Sequence, residues 1–288
     1  MLDYSIRPLT ATEVQKVVDW AGQEGWNPGV HDAACFHATD PGGFLGGFLG
    51  DEMIASVSTV NYDDRFSFLG FYIVHPEFRR AGRGIEIWRS ALAYGQGRNI
   101  GLDGVIEQQE NYAKSGFTLA YTNCRFSAKV QDILPKLGQV LGNGVTELSD
   151  AANALRLYDR KLFPAPRDAF LQSWLSAPSH ISRMYSENGQ IKGYATLRPC
   201  LTGYKVGPLF ADDVKIAQAL LASLLAAVPE HHRDQQVFID MPQPNAAAFA
   251  LAAQLGLEKV FETARMYSDH EPDIDLNRVF GVTTFELG

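Results

Sequence analysis

Cysteine is scarce in this sequence. Cys35, Cys124 and Cys200 are odd in number and widely spaced, and no CxxC or Cys/His pairing accompanies them. A disulfide framework and a zinc site both need cysteines in recognisable pairs, so neither is indicated and no metal is expected. We expect the three thiols to be buried or incidental.

A long hydrophobic run is also missing. The longest, at residues 217–228, is well short of the roughly 20 residues that a membrane-spanning helix requires. The first residues, MLDYSIRPLT, contain no basic stretch followed by an apolar core, so no signal peptide is indicated. We therefore expect a cytoplasmic protein with no membrane partner.

Positive charge is in deficit. The chain has 25 Lys and Arg against 33 Asp and Glu, a formal net charge of −8. Proteins that bind nucleic acid without sequence preference neutralise phosphates with a basic surface, so this class is disfavoured. A site for a polyanion would then have to be a small basic patch on an otherwise acidic protein. The hydrophobic content of 46% predicts a soluble globular fold, and 288 residues favour two medium domains.

The first half of the chain alternates helical and strand patterns. Apolar residues at helical spacing follow Thr12, a candidate cap, and two strands flank a Gly50-Asp51 turn. A third strand ends at Pro76, and further helix and strand patterns follow up to Phe126. This order predicts an α/β (α+β layered) domain with a mixed, mostly antiparallel sheet flanked by helices.

The second half shows a similar but less clear order of strand and helix patterns. A hairpin with an Asn188-Gly189 turn precedes the strand YKVGPLF, the helical VKIAQALLASLLAAV, the strand VFIDM and the helical NAAAFALAAQL. The chain therefore resembles two copies of one fold. We predict a first domain at residues 1–130, a linker rich in Gly and Pro at 131–146, and a second domain at 147–288.

The stretch HPEFRRAGRGIEIW concentrates arginine and glycine between a strand and a helix. Helix N-termini present unpaired N–H donors, so a glycine-bearing turn there is a natural anion site, and the arginines add charge. The stretch lacks a third glycine for a dinucleotide fingerprint and a Gly-Lys-Ser/Thr for a Walker loop. What remains is the pattern Arg79-x-x-Gly82-x-Gly84.

This pattern resembles the signature of the GNAT superfamily of acyl-CoA-dependent N-acyltransferases. YIVHP resembles the end of that family's fourth strand, and NYAKSGF resembles its later motif of Asn followed by Tyr-x-x-x-Gly-Phe. EGWNPGVHDA is similar to a subgroup of tandem GNAT proteins with a divergent C-terminal GNAT-like domain. The resemblance implies a duplicated GNAT fold and a first domain that binds an acyl-CoA, with acetyl-CoA as the expected co-substrate.

The resemblance also implies a coenzyme site and a catalytic acid. The turn would cradle the pyrophosphate, while a bulge in the fourth strand would offer the backbone of two residues to the pantetheine arm. The implied coenzyme-binding residues are Ile73, Val74, Arg79, Arg80, Ala81, Gly82, Arg83, Gly84 and Asn111. Tyr112 suits the role of general acid toward the departing thiolate; its alternative role is packing beneath the coenzyme.

The general base is not evident in the sequence. Many relatives carry a Glu on the fourth strand, but FLGFYIV contains no acid. An ordered water or one of four acids could serve instead, and Glu107 is our candidate. The acids are Glu24, Asp32, Glu107 and Glu110. Trp26, Asn27 and Asp32 follow the first helix, where acceptor-binding loops lie in the family; a structural turn is the equal alternative.

The second half has an unsuitable turn in the equivalent place. Asp212 and Asp213 would cap the following helix and repel a pyrophosphate. We therefore expect one coenzyme site and an N-acetyltransferase that acts on a primary amine of a small molecule. The alternative is an acyl-CoA-binding regulatory module that has lost catalysis. The sequence does not fix the oligomeric state.

Overall fold

The computed structural model describes residues 3–80, 82–138 and 144–288, and these form a mixed, mostly antiparallel sheet flanked by helices. The strands are β1 (Tyr4–Pro8), β2 (Phe44–Leu49), β3 (Glu52–Asn61), β4 (Phe66–Val74), β5 (Asn99–Val105), β6 (Thr118–Lys129), β7 (Val145–Glu147), β8 (Ile181–Glu187), β9 (Gln190–Pro199), β10 (Tyr204–Ala211), β11 (Gln236–Pro242), β12 (Glu258–Tyr267) and β13 (Val279–Gly281). The helices are α1 (Ala11–Gln23), α2 (Asp32–Thr39), α3 (Arg83–Tyr94), α4 (Gln109–Lys114), α5 (Val130–Ile133), α6 (Asn153–Asp159), α7 (Asp168–Ser176), α8 (Val214–Ala226) and α9 (Ala246–Leu255).

Helix α1 begins two residues earlier than the sequence indicated. Its N-cap is Thr10, whose side chain accepts from the backbone N–H of Glu13 while the Glu13 side chain accepts from Thr10, a capping box. The prediction of Thr12 as the cap was wrong: Glu13 completes the reciprocal pair with Thr10 and also accepts from Arg7 of β1, which fixes the start of the helix at Ala11. The apolar face that the sequence predicted is buried.

The two halves of the chain interleave in one sheet. The strand order is β1-β2-β3-β4-β5-β12-β6-β11-β10-β9-β8-β7, with β13 paired to β10. Strand β12 from the second half thus lies between β5 and β6 of the first half. Strand β6 in turn pairs with β11 of the second half. Neither half completes its part of the sheet alone.

The predicted linker contains short structured pieces. Helix α5 ends within it, a 3-10 turn at Leu134–Leu137 follows, and β7 begins at Val145. Leu137 is buried against α8. Residues 139–143 lie outside the described part of the chain, and the predicted boundaries at 130 and 147 remain a prediction.

Buried apolar side chains form cores on the sheet that hold the candidate site in place. Helix α3 packs Ile87, Trp88 and Ala91 against β3, β4 and β5. Helices α8 and α9 cover β9 to β11 in the second half. The three cysteines are buried free thiols, as expected.

Candidate active site

Strands β4 and β5 separate part of the way along their length. They pair in parallel from Phe66 to Leu69 on β4, opposite Asn99 to Leu102 on β5, and the described pairing ends there. A bulge marks the departure: Phe71 has a φ of 49°, and the β3–β4 register shifts beside it. The bulge that we expected in this strand is therefore present, and a cleft opens beyond it.

The cleft has a volume of about 350 Å³ and is bordered by both halves of the chain. Its lining combines apolar strand residues with a few polar groups, which is typical of small-ligand sites. The lining residues are Glu24, Trp26, Leu69, Gly70, Phe71, Tyr72, Ile73, Val74, Arg79, Leu102, Asp103, Gly104, Val105, Gln108, Tyr112, Phe261, Thr263, Phe285 and Glu286.

The arginine turn lies between the end of β4 and the start of α3. Gly82 is the N-cap of α3 with a φ of 80°, and no side chain caps the helix. Arg80 also adopts a positive φ, of 68°. The N–H groups that open α3 are therefore not engaged by a capping side chain. Ala81 lies outside the described residues.

The arginines of the turn have different partners. Arg79 donates from Nε to the carbonyl oxygen of Val74 at 2.9 Å, and its guanidinium pairs with Glu24. Arg83 pairs with Glu86 at 3.0 Å and lies over the ring of Tyr4. Only Arg79 among these arginines lines the cleft.

Gly84 lies one residue into α3 and faces β4. A Cβ at this position would come within 2.7 Å of the Tyr72 hydroxyl and 3.1 Å of Val74. The missing side chain allows the first turn of α3 to approach the end of β4 closely.

Tyr112 lies in the cleft, on α4 and against β5. It is 8% exposed, and its ring centroid is 5.5 Å from that of Trp88. A Cβ at Gly104 would collide with the Tyr112 ring, so this glycine allows the tyrosine to lie on β5. Burial raises the pKa of Tyr112 to about 12, so the phenol remains protonated at neutral pH.

Three other predicted residues of this region lie outside the cleft lining. Glu107 and Glu110 are exposed. Asn111 is exposed too, and its side-chain amide donates to Gln108 at 2.7 Å. The structure therefore does not bring Glu107, the candidate base, together with Tyr112 in the cleft.

The predicted acceptor loop divides between the cleft and the protein interior. Trp26 lines the cleft, and its carbonyl oxygen accepts from Arg125 at 2.8 Å and from Lys205 at 3.1 Å. Asn27 instead exchanges hydrogen bonds with the backbone of Thr202.

Asp32 lies in the interior and away from the cleft lining. Asp32 is fully buried, and its carboxylate pairs with Arg198 at 3.0 Å and accepts from the Gly29 N–H at 2.7 Å. Asp32 thus fits the structural alternative that the sequence left open.

Sequence reasoning predicted that the second half borders the cleft, but it did not identify the residues that do so. Phe261 and Thr263 reach the cleft from β12, and Phe285 and Glu286 reach it from the segment at residues 283–288. A Cβ at Gly70 would collide with the carbonyl oxygen of Glu286, so this segment lies directly on β4. No local pattern in the sequence signals contacts between residues more than 200 positions apart.

Asp103 was also missed. It lies on β5, and its carboxylate is held by Arg265 of β12 at 2.6 and 2.9 Å and by the Asn123 amide at 2.8 Å. This buried ion pair between Asp103 and Arg265 joins the two halves beside the cleft. Replacing either residue by a neutral one would leave the other as an uncompensated buried charge.

The equivalent turn of the second half is occupied by its own side chains. Asp213 caps α8 and accepts from the N–H groups of Lys215 and Ile216 at 2.8 and 2.9 Å. Asp212 pairs with Arg278 and with Lys192. The cap that the sequence predicted is therefore present.

The described residues also show no metal-binding group and no membrane-spanning helix. Within residues 3–80, 82–138 and 144–288, no group of three or more His, Cys, Asp or Glu residues is placed to hold a metal ion. None of the helices in this part of the chain has the length and apolar character to cross a membrane.

Comparison with known families gives a match in each half. A model described as the acetyltransferase (GNAT) family matches residues 11–117, and one described as an acetyltransferase (GNAT) domain matches residues 155–281. The two matched stretches follow one another without overlap, which agrees with the tandem arrangement.

Individual relatives extend over nearly the whole chain. Holothin acyltransferase from Pseudoalteromonas sp. is 32% identical over 288 residues, covering 99% of this chain and 95% of the relative. An uncharacterized N-acetyltransferase of Bacillus subtilis, YitH, is 21% identical and covers 97% of each chain.

Solved structures share the fold. A protein from Pyrococcus horikoshii superposes with a TM-score of 0.83 at 21% identity, covering 100% of this chain and 97% of its own. A tandem GNAT protein from the clavulanic acid biosynthesis pathway gives a TM-score of 0.63 at 13% identity, covering 94% and 100%.

Proposed function

Because the chain belongs to the GNAT family and is an acyltransferase with two GNAT domains in tandem, we propose that it moves an acetyl group from acetyl-CoA to a primary amine of a small molecule. One observation carries the proposal. The separated strands β4 and β5 form a cleft beside a glycine- and arginine-bearing turn at the uncapped start of α3.

The arginine turn supports binding of the coenzyme pyrophosphate. The N–H groups that open α3 carry no side-chain cap, and a helix N-terminus with nearby arginines attracts phosphate. In the proposal, Arg79, Arg80, Gly82, Arg83 and Gly84 surround the pyrophosphate. Ala81 and Asn111 remain predicted contacts, the first outside the described residues and the second on the exposed face of α4.

The bulged end of β4 supports binding of the pantetheine arm. Beyond Leu69, the edge of β4 that faces β5 has no described strand partner, so backbone groups near Ile73 and Val74 can serve a ligand. The Val74 carbonyl oxygen accepts from Arg79 in this structure. We therefore propose that Arg79 exchanges this bond for one to phosphate when the coenzyme binds.

Tyr112 supports the chemical step. Acyl transfer from a thioester to an amine breaks the C–S bond, and the departing thiolate needs a proton. Tyr112 lines the cleft and keeps its proton at neutral pH because burial raises its pKa to about 12. In the proposal, Tyr112 protonates the thiolate and regains a proton from the nitrogen as the amide forms.

The shape of the cleft supports a small acceptor. Its volume of about 350 Å³ is at the lower end for ligand sites and must also admit the acyl end of the donor. The Pseudoalteromonas relative is named as an acyltransferase of holothin, which supports a discrete compound as the acceptor. The formal net charge of −8 favours cationic amines by steering.

The test is release of free thiol from acetyl-CoA across a panel of amines. We expect turnover with at least one small primary amine and none with the doubly changed turn, Arg79→Glu with Gly82→Asp. Binding of acetyl-CoA without acyl transfer to any amine would support the alternative, a regulatory module, and would contradict the proposal.

A further inference from the structure

Glu286 holds an unusual position for an ionisable side chain. The residue is 3% exposed, lines the cleft between β4 and β5, and lies against Gly70 through its backbone. Its Oε2 atom is buried and has no hydrogen-bond partner among the described residues. An unpartnered buried carboxylate oxygen costs free energy, so its retention in a cleft points to a ligand or a reacting group.

The other carboxylates of the cleft lining are engaged. Glu24 pairs with the guanidinium of Arg79. Asp103 accepts from Arg265 at 2.6 Å and from Asn123 at 2.8 Å. Among the carboxylates that line this cleft in the described chain, Glu286 alone has no arginine or lysine within ion-pair distance.

Among the buried basic groups near Glu286 in the described chain, Lys205 has no carboxylate within ion-pair distance. Arg125 pairs with Asp240 at 2.6 Å, and Arg198 pairs with Asp32 at 3.0 Å. Lys205 is 2% exposed and donates to the Trp26 carbonyl oxygen at 3.1 Å, a neutral partner. Burial lowers the pKa of Lys205 and raises that of Glu286, and each group opposes the other's shift without forming a close ion pair.

We propose that Glu286 is the general base that removes a proton from the acceptor amine, an inference that rests on the proposed acyl transfer. The acceptor ammonium gives one proton to the Glu286 carboxylate. The neutral nitrogen then forms a bond to the thioester carbonyl carbon, and the C–S bond breaks. Tyr112 protonates the thiolate and regains the second nitrogen proton as the amide forms. Glu286 returns its proton to solvent, which balances the reaction.

The surroundings of Glu286 suit this role. Burial raises the pKa of its carboxyl group above the ordinary value, and Lys205 opposes that rise. A base whose pKa lies closer to neutrality than that of a free carboxylate accepts a proton from an ammonium group more readily. The charged and titratable groups around it are Asp32, Arg125, Arg198, Lys205 and Asp240 behind the cleft, and Glu24, Arg79, Asp103, Tyr112 and Arg265 along it.

The sign of the pH dependence follows from this role. Glu286 acts only when ionised, so kcat rises with pH through the pKa of its carboxyl group and levels off above it. With glutamine in its place the limb set by the Glu286 carboxyl group disappears, and the rise of the rate with pH instead follows the ionisation of the acceptor amine. The variant then depends on the neutral fraction of the acceptor in solution, which grows tenfold per pH unit below the pKa of the amine.

The experiment compares wild type, Glu286→Gln and Glu262→Gln with a strongly basic amine and with a weakly basic one. Glu262 is a matched control on β12, where it pairs with Lys259 at the surface at 3.1 Å. We expect Glu286→Gln to lower kcat about 10²- to 10⁴-fold at pH 7 with the basic amine. The loss should shrink at least tenfold with the weakly basic amine, while the dissociation constant of acetyl-CoA and the control's activity stay within twofold.

Equal losses with both amines, or an acidic limb that keeps its wild-type midpoint in Glu286→Gln, would overturn the role of base, because a purely structural residue would slow both acceptors alike. If Glu286→Gln does not fold, Glu286→Asp replaces it: a base predicts a lower kcat and an acidic limb at lower pH, and an unchanged profile overturns it. Failure of the wild type to acylate any amine would overturn the proposed function as well, which separates the two failures.

Discussion

Two strand pairs in this protein separate in the same way but leave different spaces. Strand β4 leaves β5 beyond Leu69, and β10 leaves β11 beyond Val206. In the second half, β13 fills the gap by pairing with β10, and the Val282 N–H donates to the Asp240 carbonyl oxygen at 2.8 Å. In the first half the gap remains a cleft. Within the described residues, the two halves therefore share this strand separation, which β13 fills in the second half and which forms a cleft in the first.

The turns beside the two gaps also differ in their suitability for an anion. The start of α3 has no capping side chain and follows arginines, whereas the start of α8 is capped by Asp213. An anion would meet free N–H groups at the first turn and a carboxylate at the second. In our proposal, acyl-CoA lies between β4 and β5 in the place that corresponds to that of β13 beside β10.

The segment at residues 279–288 connects the two gaps. Its first residues pair with β10, and its later residues reach β4, where Glu286 enters the cleft. The second half thus contributes to the cleft although its own gap is filled. We propose that this contribution concerns the acceptor and leaves coenzyme binding to the first half.

The largest expected effect concerns chemistry in the open cleft. Tyr112→Phe keeps the ring against Trp88 and β5 but removes the hydroxyl proton. We expect kcat to fall about 10²- to 10⁴-fold with the affinity for acetyl-CoA nearly unchanged. Steady-state kinetics and calorimetry measure the two quantities. An unaltered kcat, with chemistry shown to be rate-limiting, would leave Tyr112 as a packing residue.

The next effect concerns the arginine turn. Arg79→Glu with Gly82→Asp reverses one charge and puts a side chain where φ is 80°. We expect acetyl-CoA to bind at least about 100-fold more weakly, about 2.7 kcal/mol. Calorimetric titration of the variant, with circular dichroism to confirm folding, is the measurement. Affinity retained within threefold would place the coenzyme elsewhere.

A matched pair of glycines separates the roles of the two gaps. A Cβ at Gly70 would collide with the Glu286 carbonyl oxygen, and one at Gly207 would collide with that of Thr283. Gly70→Ala and Gly207→Ala should each lower the free energy of unfolding by about 1–3 kcal/mol, because each overpacks the same segment. Denaturant unfolding measures this loss.

The same pair should differ in activity. Gly70→Ala displaces Glu286 in the open cleft and should reduce kcat by about tenfold, whereas the change at Gly207 lies at the filled gap. The prediction fails if Gly207→Ala is the more damaging of the two for turnover at a temperature where both variants are folded.

The smallest effect concerns the acidic turn. Replacing Asp212 and Asp213 by Ala should leave the affinity for acetyl-CoA within twofold of wild type. Loss of the Asp213 cap should cost at most about 1 kcal/mol of stability. Calorimetry of the double variant gives the affinity, and denaturant unfolding of the single variant Asp213→Ala gives the cost of the cap. A gain of a second coenzyme site would show that the carboxylates alone exclude the ligand.

The sequence could predict what depends on neighbouring residues. Apolar spacing located the helices, and the Asn188-Gly189 turn was correctly assigned, with both residues at positive φ. The motifs YIVHP, Arg79-x-x-Gly82-x-Gly84 and NYAKSGF are each short, so their residues and their order carried the resemblance to the family. These features arise from local backbone preferences and short motifs.

The features that the sequence did not predict depend on contacts between residues that are distant in the chain. The position of β12 between β5 and β6 joins residues about 130 to 165 positions apart, and the apolar pattern of a strand does not indicate which strand it pairs with. Glu286 lies in an apolar stretch without a motif, so nothing local separates it from a surface acid. Asp32 shows the converse: it follows the recognised loop, yet Arg198 holds it in the interior.

The most direct test of the account is a crystal structure of the chain grown with excess acetyl-CoA. We predict one coenzyme per chain, with its pyrophosphate at residues 79–84, its acyl end between β4 and β5 near Tyr112 and Glu286, and β13 still paired with β10. A coenzyme at residues 208–214, or a β4–β5 cleft that remains empty while the coenzyme binds elsewhere, would contradict it.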